Sequence, residues 1–227
     1  SRISPKWCRR RAPGGSCDTP IRLIQPFLEK VLGVPVILEN MTGAGGNIAR
    51  IYIQKQAPDG YNFLVSVQPS ISSGAIGAAS VAQYDPLKFV QVFNIAGKSY
   101  LGMAVHYSSP FKNAKELFEA SKKNKLSVGG SGVGATSFVA SALLEKAGAK
   151  LQYVPFNAGP EVAMALAGNH IDFTLTNYQA LLPMQKQKKI RMLGVTGPER
   201  AEFAPDVPTL TEQGIPGIEL DQLTGVH

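Results

Sequence analysis

The feature that most constrains the fold is a repeated alternation of short β-rich runs with longer helical patterns. The β-rich runs lie at 34–39, 61–67, 91–96, 101–105, 126–129, 151–154 and 171–175. Apolar residues at helical spacing occupy several of the intervals, at 47–56, 113–123, 136–147 and 160–168. This order is typical of α/β layers with mostly parallel sheets, and it predicts that fold class here.

Local signals set some of the element boundaries. Asn113 has the side-chain oxygen that suits an N-cap, so the spacing predicts a helix from there to about Lys123. Pro160 is expected in the first turn of a helix that Gly168 ends. The Ser-, Gly- and Ala-rich stretch 68–79 is predicted to be a loop.

Composition sets looser limits. With 227 residues, 44% hydrophobic and 17% charged, the chain can bury a core as one large domain or two small lobes. The net charge of +7 favours anionic partners, but Lys and Arg are spread along the chain, so nucleic acid is not expected. No apolar run reaches a membrane span and the N-terminus lacks the order of a signal peptide, so any export signal is expected outside these residues. Cys8 and Cys17 have no metal-type neighbours and are expected to be free thiols, with a disulfide in an oxidising compartment as the alternative.

The clearest chemical signal is a glycine-rich stretch, SVGGSGVGATS at 127–137, that leaves a strand and enters a helix. Glycines permit close approach while unpaired N–H groups point at a ligand, which favours binding of an anion such as a carboxylate. Gly129 and Gly134 have Walker spacing, but Ala135 stands where the phosphate-binding Lys is needed. The dinucleotide fingerprint also fails, because Ser137 occupies the third glycine place. A glycine-rich turn without a ligand is the alternative.

Signals for catalysis are absent from the sequence. The three histidines, His106, His170 and His227, lie far apart and form no HExxH pair. No GxSxG elbow occurs, and no spacing pairs the acidic residues as a catalytic set. We therefore expect no metal, no cofactor and no enzyme activity.

Several motifs together resemble a known family. They are APGGSCDTPIR at 12–22, VILENMTGAGGNI at 36–48, APDGY at 57–61, YDP at 84–86, SGVGATS at 131–137, VPF at 154–156, TN at 176–177 and DVPT at 206–209. Their order and spacing resemble the tripartite tricarboxylate transporter receptors, also called the Bug family. The resemblance covers residues 12–227.

The resemblance implies a fold and a function. The fold would be the two-lobed type II periplasmic binding protein fold, with lobe one at 1–98, lobe two at 99–222 and the start of a return crossover at 223–227. The protein would be a monomeric periplasmic receptor that captures a small carboxylate between its lobes for the membrane components of a tripartite tricarboxylate transporter. A sensory module of the same fold is the alternative, and an enzyme using the same cleft is a more distant one.

Some stretches depart from the family pattern. Residues 1–11 make a poor central first strand, and 223–227 lie where the family returns to its first lobe, so a C-terminally truncated member with an incomplete lobe one is expected. Pro20 would fall near the start of the first helix, where proline is tolerated. Asp18 is expected to cap that helix, and contact with an amine-bearing ligand is the alternative.

Carried over residue by residue, the resemblance nominates ligand contacts in both lobes. From lobe one they are Ala12, Gly14, Gly15, Gln68 and Ser70. From lobe two they are Ser131, Gly134, Ala135, Thr136, Ser137 and Asn177. The hydroxyls of Ser131, Thr136 and Ser137 can donate to a carboxylate, and Asn177 can orient a polar group or a water. For Asn177 the alternative is a turn residue at a strand end.

Overall fold

The structure is a computed structural model that describes residues 6–9, as backbone only, and 17–41, 43–77, 83–215 and 217–227. Its contacts divide the chain into two compact units. Unit 1 comprises residues 1–97 and 223–227, and unit 2 comprises residues 98–222. The chain passes from one unit to the other at Gly97/Lys98 and again at Gln222/Leu223.

Strands and helices alternate along the described chain. The strands are β1 Lys6–Arg9, β2 Ile37–Asn40, β3 Asn62–Val67, β4 Phe93–His106, β5 Leu126–Gly130, β6 Leu151–Pro155, β7 Phe173–Asn177, β8 Ile190–Val195 and β9 Asp221–Val226. The α-helices are α1 Asp18–Leu32, α2 Asn47–Gln54, α3 Pro69–Gly77, α4 Ala114–Lys123, α5 Thr136–Lys146, α6 Gly159–Ala167 and α7 Tyr178–Lys186. Short 3-10 turns span Ala44–Gly46 and Pro86–Lys88.

In unit 1 the strand order is β2-β1-β3-β9, followed by β4. β1 pairs in parallel with both β2 and β3, and β3 pairs antiparallel with β9. The expectation that residues 1–11 make a poor central strand is therefore wrong for Lys6–Arg9. A ladder uses backbone N–H and C=O groups that nearly every residue carries, so a strand can form between two β-rich neighbours despite its charged residues.

The core of unit 1 lies on both faces of this sheet. Val65 and Val67 of β3 pack with Ile21 of α1, whereas Leu64 packs with Ala49 of α2. Because successive strand residues point to opposite faces, α1 and α2 cover the two faces of β3. This double cover agrees with a parallel sheet segment buried on both sides.

Three predictions about local structure are wrong. The stretch 68–79 contains the helix α3, because small residues such as Ser and Ala tolerate a helix when its residues pack on β3. The runs 91–96 and 101–105 form the single strand β4, since the intervening glycine and polar residues still pair. Asp18 is the first residue of α1 and not its N-cap, which is Cys17, and its carboxylate accepts from Nε of Arg22 at 3.0 Å.

In unit 2 the strand order is β6-β5-β7-β4, with β8 also paired to β4. β5 is parallel to β6 and β7, whereas β4 is antiparallel to β7 and β8. The sheets of both units are therefore mixed, and the expectation of mostly parallel sheets is not confirmed. The α/β class itself is confirmed.

Helices cover both faces of the unit 2 sheet. On one face Met103 and Val105 of β4 pack with Leu117 of α4 and Leu144 of α5. On the other face Ala104 packs with Val162 of α6, and Leu181 of α7 belongs to the same cluster. The alternation along β4 follows from the two-residue period of a strand.

The predicted boundaries in unit 2 are largely confirmed. Asn113 is the N-cap of α4, and its side chain accepts from the N–H of Glu116 at 2.8 Å. Pro160 lies in the first turn of α6, and Gly168 follows its last residue. Of the two cysteines, Cys17 is a buried free thiol, and the side chain of Cys8 lies outside the described residues.

Candidate anion site at the glycine-rich loop

The candidate site lies at one edge of the unit 2 sheet. Because β5, β6 and β7 are parallel, their carboxyl ends meet at the same edge. Each is followed by a helix within a few residues: α5 after β5, α6 after β6 and α7 after β7. Helix N-termini, with their unpaired N–H groups and positive dipole ends, therefore follow this edge of the sheet.

Two glycines give the loop between β5 and α5 its path. Gly132 and Gly134 have φ of 99° and 79°, in the left-handed region that favours glycine. A third glycine, Gly130, is required for space, since a β-carbon there would collide with the hydroxyls of Tyr153 and Ser137. The glycines found by sequence reasoning therefore have distinct structural roles.

A short hydrogen-bond chain anchors the loop to the sheet. The backbone N–H of Ser131 donates to Oγ of Ser137 at 3.0 Å, and that oxygen lies 3.0 Å from the hydroxyl of Tyr153. The Tyr153 hydroxyl donates to the carbonyl of Gly132 at 2.9 Å. Since a phenol has one hydrogen and Tyr153 uses it on Gly132, the Ser137 hydroxyl must donate to Tyr153. The Ser137 side chain therefore anchors the loop. The backbone N–H of Ser137 remains available to a ligand.

The N-terminus of α5 has no side-chain cap, because Ala135 occupies the N-cap position. Within the described chain, the N–H groups of Thr136 and Ser137 have no acceptor. Thr136 is fully buried, and its Oγ1 has no hydrogen-bond partner among the described residues. A buried hydroxyl left unpaired costs about 1–3 kcal/mol. The Thr136 hydroxyl and the N–H groups of Thr136 and Ser137 are therefore three donors without an acceptor in the described chain.

Ser131, Gly134 and Ala135, the other nominated residues of unit 2 in this loop, are all buried. The hydroxyl of Ser131 makes no hydrogen bond to the described part of the chain, because only its N–H is used. The loop thus holds five of the nominated residues in seven consecutive positions.

Asn177 is the last residue of β7 and the N-cap of α7. Its Oδ1 accepts from the N–H of Gln179 at 3.1 Å, and its Nδ2 donates to Oε1 of Gln222 at 3.2 Å. Each end of the amide therefore has one protein partner, which agrees with the alternative of a strand-end turn residue. One N–H of Nδ2 remains for a ligand or a water.

The nominated residues of unit 1 are only partly described. Gln68 follows β3 and its side chain donates to Oε1 of Gln91. Ser70 lies in the first turn of α3 and is fully buried, and its hydroxyl donates to the carbonyl of Val67 at 2.7 Å. Ala12, Gly14 and Gly15 lie outside the described residues.

Sequence reasoning missed two residues at this edge. Tyr153 is a lone tyrosine in a strand, and no sequence pattern distinguishes it from a packing residue. Thr176 is fully buried with Oγ1 unpaired within the described residues, and that oxygen lies 3.5 Å from the β-carbon position of Gly159 at the start of α6. The same β-carbon position is 2.8 Å from Cβ of Ala180, so α6 packs closely against α7 beside Thr176.

The described ranges contain neither a metal-binding cluster nor a helix that could span a membrane. Those residues contain no group of three or more His, Cys, Asp or Glu side chains that could hold a metal ion. His106 contacts Ser108 and His170 is exposed, so they share no site. No described helix has the length and apolar character needed to cross a membrane.

The family follows from a comparison of sequences. Residues 21–226 match the model of the tripartite tricarboxylate transporter family receptor. The chain is 34% identical over 206 residues to the UPF0065 protein in the gbd 5' region of Cupriavidus necator. The matched region covers 89% of this chain and 62% of that protein. The chain therefore belongs to the tripartite tricarboxylate transporter receptor family.

Solved structures agree with the family. MatC of Rhodopseudomonas palustris with bound malate is 28% identical with a TM-score of 0.87, over 98% of this chain and 76% of that one. The R. palustris protein Rpa4515 with adipate is 25% identical with a TM-score of 0.89, over 98% of this chain and 75% of that one. The chain spans 61% to 66% of the length of the first three curated relatives, so the activity of the whole protein is inferred below.

Proposed function

We propose that the chain is a solute-binding receptor that holds a carboxylate of its ligand at the N-terminus of α5. The observation that carries the proposal is the buried, unpaired Oγ1 of Thr136 beside the free N–H groups of Thr136 and Ser137. A carboxylate offers two oxygens and about four acceptor positions, which suits three neighbouring donors. An oxyanion also interacts favourably with the positive end of the helix dipole, by about 0.3–1 kcal/mol and up to about 2 kcal/mol where partly buried.

The surroundings suit an anion. The stretch 126–137 contains no acidic residue that would repel a carboxylate. The Ser131–Ser137–Tyr153 hydrogen bonds fix the loop before a ligand arrives, so binding costs less ordering. Backbone donors recognise the carboxylate itself and leave the rest of the ligand to other contacts.

The relatives support the same class of ligand. MatC was solved with malate and Rpa4515 with adipate, and both are small dicarboxylates. We infer that this protein also captures a small carboxylate, and that its contacts are Ser131, Gly134, Ala135, Thr136, Ser137 and Asn177 of one lobe and Ala12, Gly14, Gly15, Gln68 and Ser70 of the other.

The wider proposals follow from the family. Residues 1–98 form lobe one, 99–222 lobe two and 223–227 the start of the return crossover, with the two-lobed binding protein fold as the whole. The protein acts as a monomer in the periplasm, hands its ligand to the membrane components of a tripartite tricarboxylate transporter and performs no chemistry on it. Closure on the ligand requires tighter binding in the closed state than in the open one.

Calorimetric titration and thermal shift with malate, adipate and neutral sugars test the proposal. A ligand that binds the native state raises the unfolding midpoint by mass action, so a carboxylate is expected to raise it and to release or absorb heat on titration. Tight binding of a sugar with no response to any carboxylate would refute the proposal.

A further inference from the structure

The amide of Asn177 has a side-chain partner, Gln222, that was not among the residues nominated from the sequence. Gln222 lies at the start of β9 and is the last residue of unit 2. Both side chains are buried, with exposed fractions of 5% for Asn177 and 1% for Gln222. A second buried amide therefore lies beside a candidate ligand contact, and it has no role in the proposed function.

One backbone group fixes the direction of both amides. The N–H of Gln179 can only donate, so the Asn177 atom 3.1 Å away is the oxygen Oδ1, and the nitrogen Nδ2 lies at the other end. Nδ2 can also only donate, so the Gln222 atom 3.2 Å away is Oε1. Nε2 is then the free end of the amide pair, and both oxygens already have partners within the chain.

The groups of the pair that can still bond a ligand are donors. Nδ2 of Asn177 retains one N–H after its bond to Gln222. Nε2 of Gln222 makes no hydrogen bond to the described part of the chain and retains two. A buried donor without an acceptor costs about 1–3 kcal/mol. The pair therefore suits a ligand oxygen and opposes an ammonium group, which brings hydrogens and no lone pair.

The amide pair lies on the same edge of the sheet as the N-terminus of α5. Thr174 of β7 is opposite Gly129 of the parallel strand β5, and the Thr174 hydroxyl donates to the Gly129 carbonyl at 2.8 Å. Beyond these partners, β7 ends at Asn177 and β5 runs into the loop at Ser131. Neighbouring strands lie about 4.8 Å apart, so one small molecule can reach both α5 and the amide pair.

We propose that Gln222 is a ligand-binding and specificity-determining residue. With Asn177 it binds an oxygen of a second carboxylate, on a ligand whose first carboxylate lies at the N-terminus of α5. The ligand class is then a dicarboxylate, and an acid with a distal amine is rejected. This inference rests on the proposed carboxylate site at α5.

Calorimetry with two matched pairs of ligands tests the proposal: succinate against 4-aminobutyrate, and adipate against 6-aminohexanoate. In each pair the second ligand keeps one carboxylate for α5 and carries an ammonium group in place of the other. The wild-type chain is expected to prefer the dicarboxylate of at least one pair by about tenfold or more. Hydrogen bonds to a charged group contribute about 1.5–3 kcal/mol, which corresponds to that ratio.

Gln222→Glu keeps an acceptor for Nδ2 of Asn177 but replaces the free amide nitrogen by a carboxylate oxygen. This variant is expected to lose the preference for the dicarboxylate, because the two carboxylates repel and an ammonium gains a partner. Gln222→Met, which removes the amide without adding charge, is expected to reduce the preference about fivefold. Gln179→Glu is the control, since it adds the same charge at the same end of α7 on an exposed side chain, and it is expected to keep the wild-type preference.

A wild-type ratio of affinities in Gln222→Glu, or a wild-type chain that binds the amino acids as tightly as the dicarboxylates, overturns the proposal while the carboxylate site at α5 stands. If no carboxylate binds the wild-type chain, the proposed function fails and this inference fails with it. Should the variants not fold, NMR of the side-chain amides in the wild type decides. The NH₂ signals of Asn177 and Gln222 are expected to shift on saturation with the preferred dicarboxylate, and unmoved signals overturn the proposal.

Discussion

The backbone N–H of Ser131 donates to Oγ of Ser137 at 3.0 Å, and this bond joins the end of β5 to the first turn of α5. Two further hydrogen bonds through the Tyr153 hydroxyl, to Ser137 and to the Gly132 carbonyl, hold the loop between them. The N–H groups at the start of α5 are therefore held in place without a ligand. Such preorganisation is what a site made of backbone donors needs.

Tyr153→Phe is expected to lower the free energy of unfolding by about 1–2 kcal/mol, because the variant breaks two hydrogen bonds and leaves the Gly132 carbonyl without its phenol donor. The edge-on contact with Phe138, at 5.1 Å between ring centroids, is kept. Denaturant unfolding measures the change. Tyr61→Phe, at an exposed residue, is the control and is expected to be neutral; equal effects of the two variants would mean that the Tyr153 hydroxyl does not anchor the loop.

Thr136→Val and Thr176→Val form a matched pair, since each replaces a buried, unpaired hydroxyl by a methyl group. Both variants are expected to keep or raise stability, by up to about 1–2 kcal/mol, because an unpaired buried hydroxyl is costly. Only Thr136→Val is expected to weaken carboxylate binding, by about tenfold, since charge-assisted hydrogen bonds contribute about 1.5–3 kcal/mol. Thermal unfolding measures the change in stability, and calorimetry measures the change in carboxylate affinity. An equal loss of affinity in both variants would contradict the assignment of Thr136.

Asn113→Ala is expected to destabilise unit 2 by about 1 kcal/mol. The variant removes the acceptor of the Glu116 N–H and the side-chain donor to Oε1 of Glu116. Asn113→Ser is expected to recover most of the loss. Asn124→Ala, at the other end of α4, is the control; in chemical denaturation it is expected to have a smaller effect, and a larger one would mean that the N-cap is unimportant.

His227 is expected to make stability depend on pH. Its pKa is lowered from 6.5 to about 4 in the folded chain, so below pH 6.5 the unfolded chain binds a proton that the folded chain does not. The free energy of unfolding should therefore fall as the pH drops from about 6.5 to 4, by about 2 kcal/mol once the partial exposure of the ring is allowed for. The charged group that faces the ring is Arg50, which opposes protonation further.

His227→Phe is expected to remove this pH dependence of the free energy of unfolding while keeping an aromatic ring against Phe89. The difference in unfolding free energy between the two chains, measured across that pH range, isolates His227 from the other titrating groups. A constant difference would show that the imidazole is not held neutral by the fold.

Much of the fold could be predicted because local signals agree with the tertiary structure. Asn113 supplies a cap, Pro160 fits a first turn, and the glycine-rich stretch joins a strand to a helix, each for a reason that is local in sequence. The elements that were missed depend on packing. α3 is built from small residues with little periodicity, and β1 is stabilised by the two strands that flank it.

The candidate site was predictable in the same limited way. The glycines at 132 and 134 reveal a turn with left-handed residues, and the serine and threonine nearby reveal hydroxyl donors. The different roles of Ser137 and Thr136 could not be predicted, because they depend on Tyr153, which lies in another strand. Ser137 anchors the loop, whereas Thr136, one residue earlier, is left without a partner.

The central claim is that a carboxylate binds at the N-terminus of α5, and an amide NMR titration with malate and adipate tests it most directly. The amide signals of Thr136 and Ser137 are expected to shift most strongly to low field, in proportion to occupancy, because their N–H groups gain a charged acceptor. The amides at the start of α4, where Asn113 already caps the helix, are expected to stay unchanged. Saturable binding that leaves the signals of Thr136 and Ser137 unmoved would contradict the account.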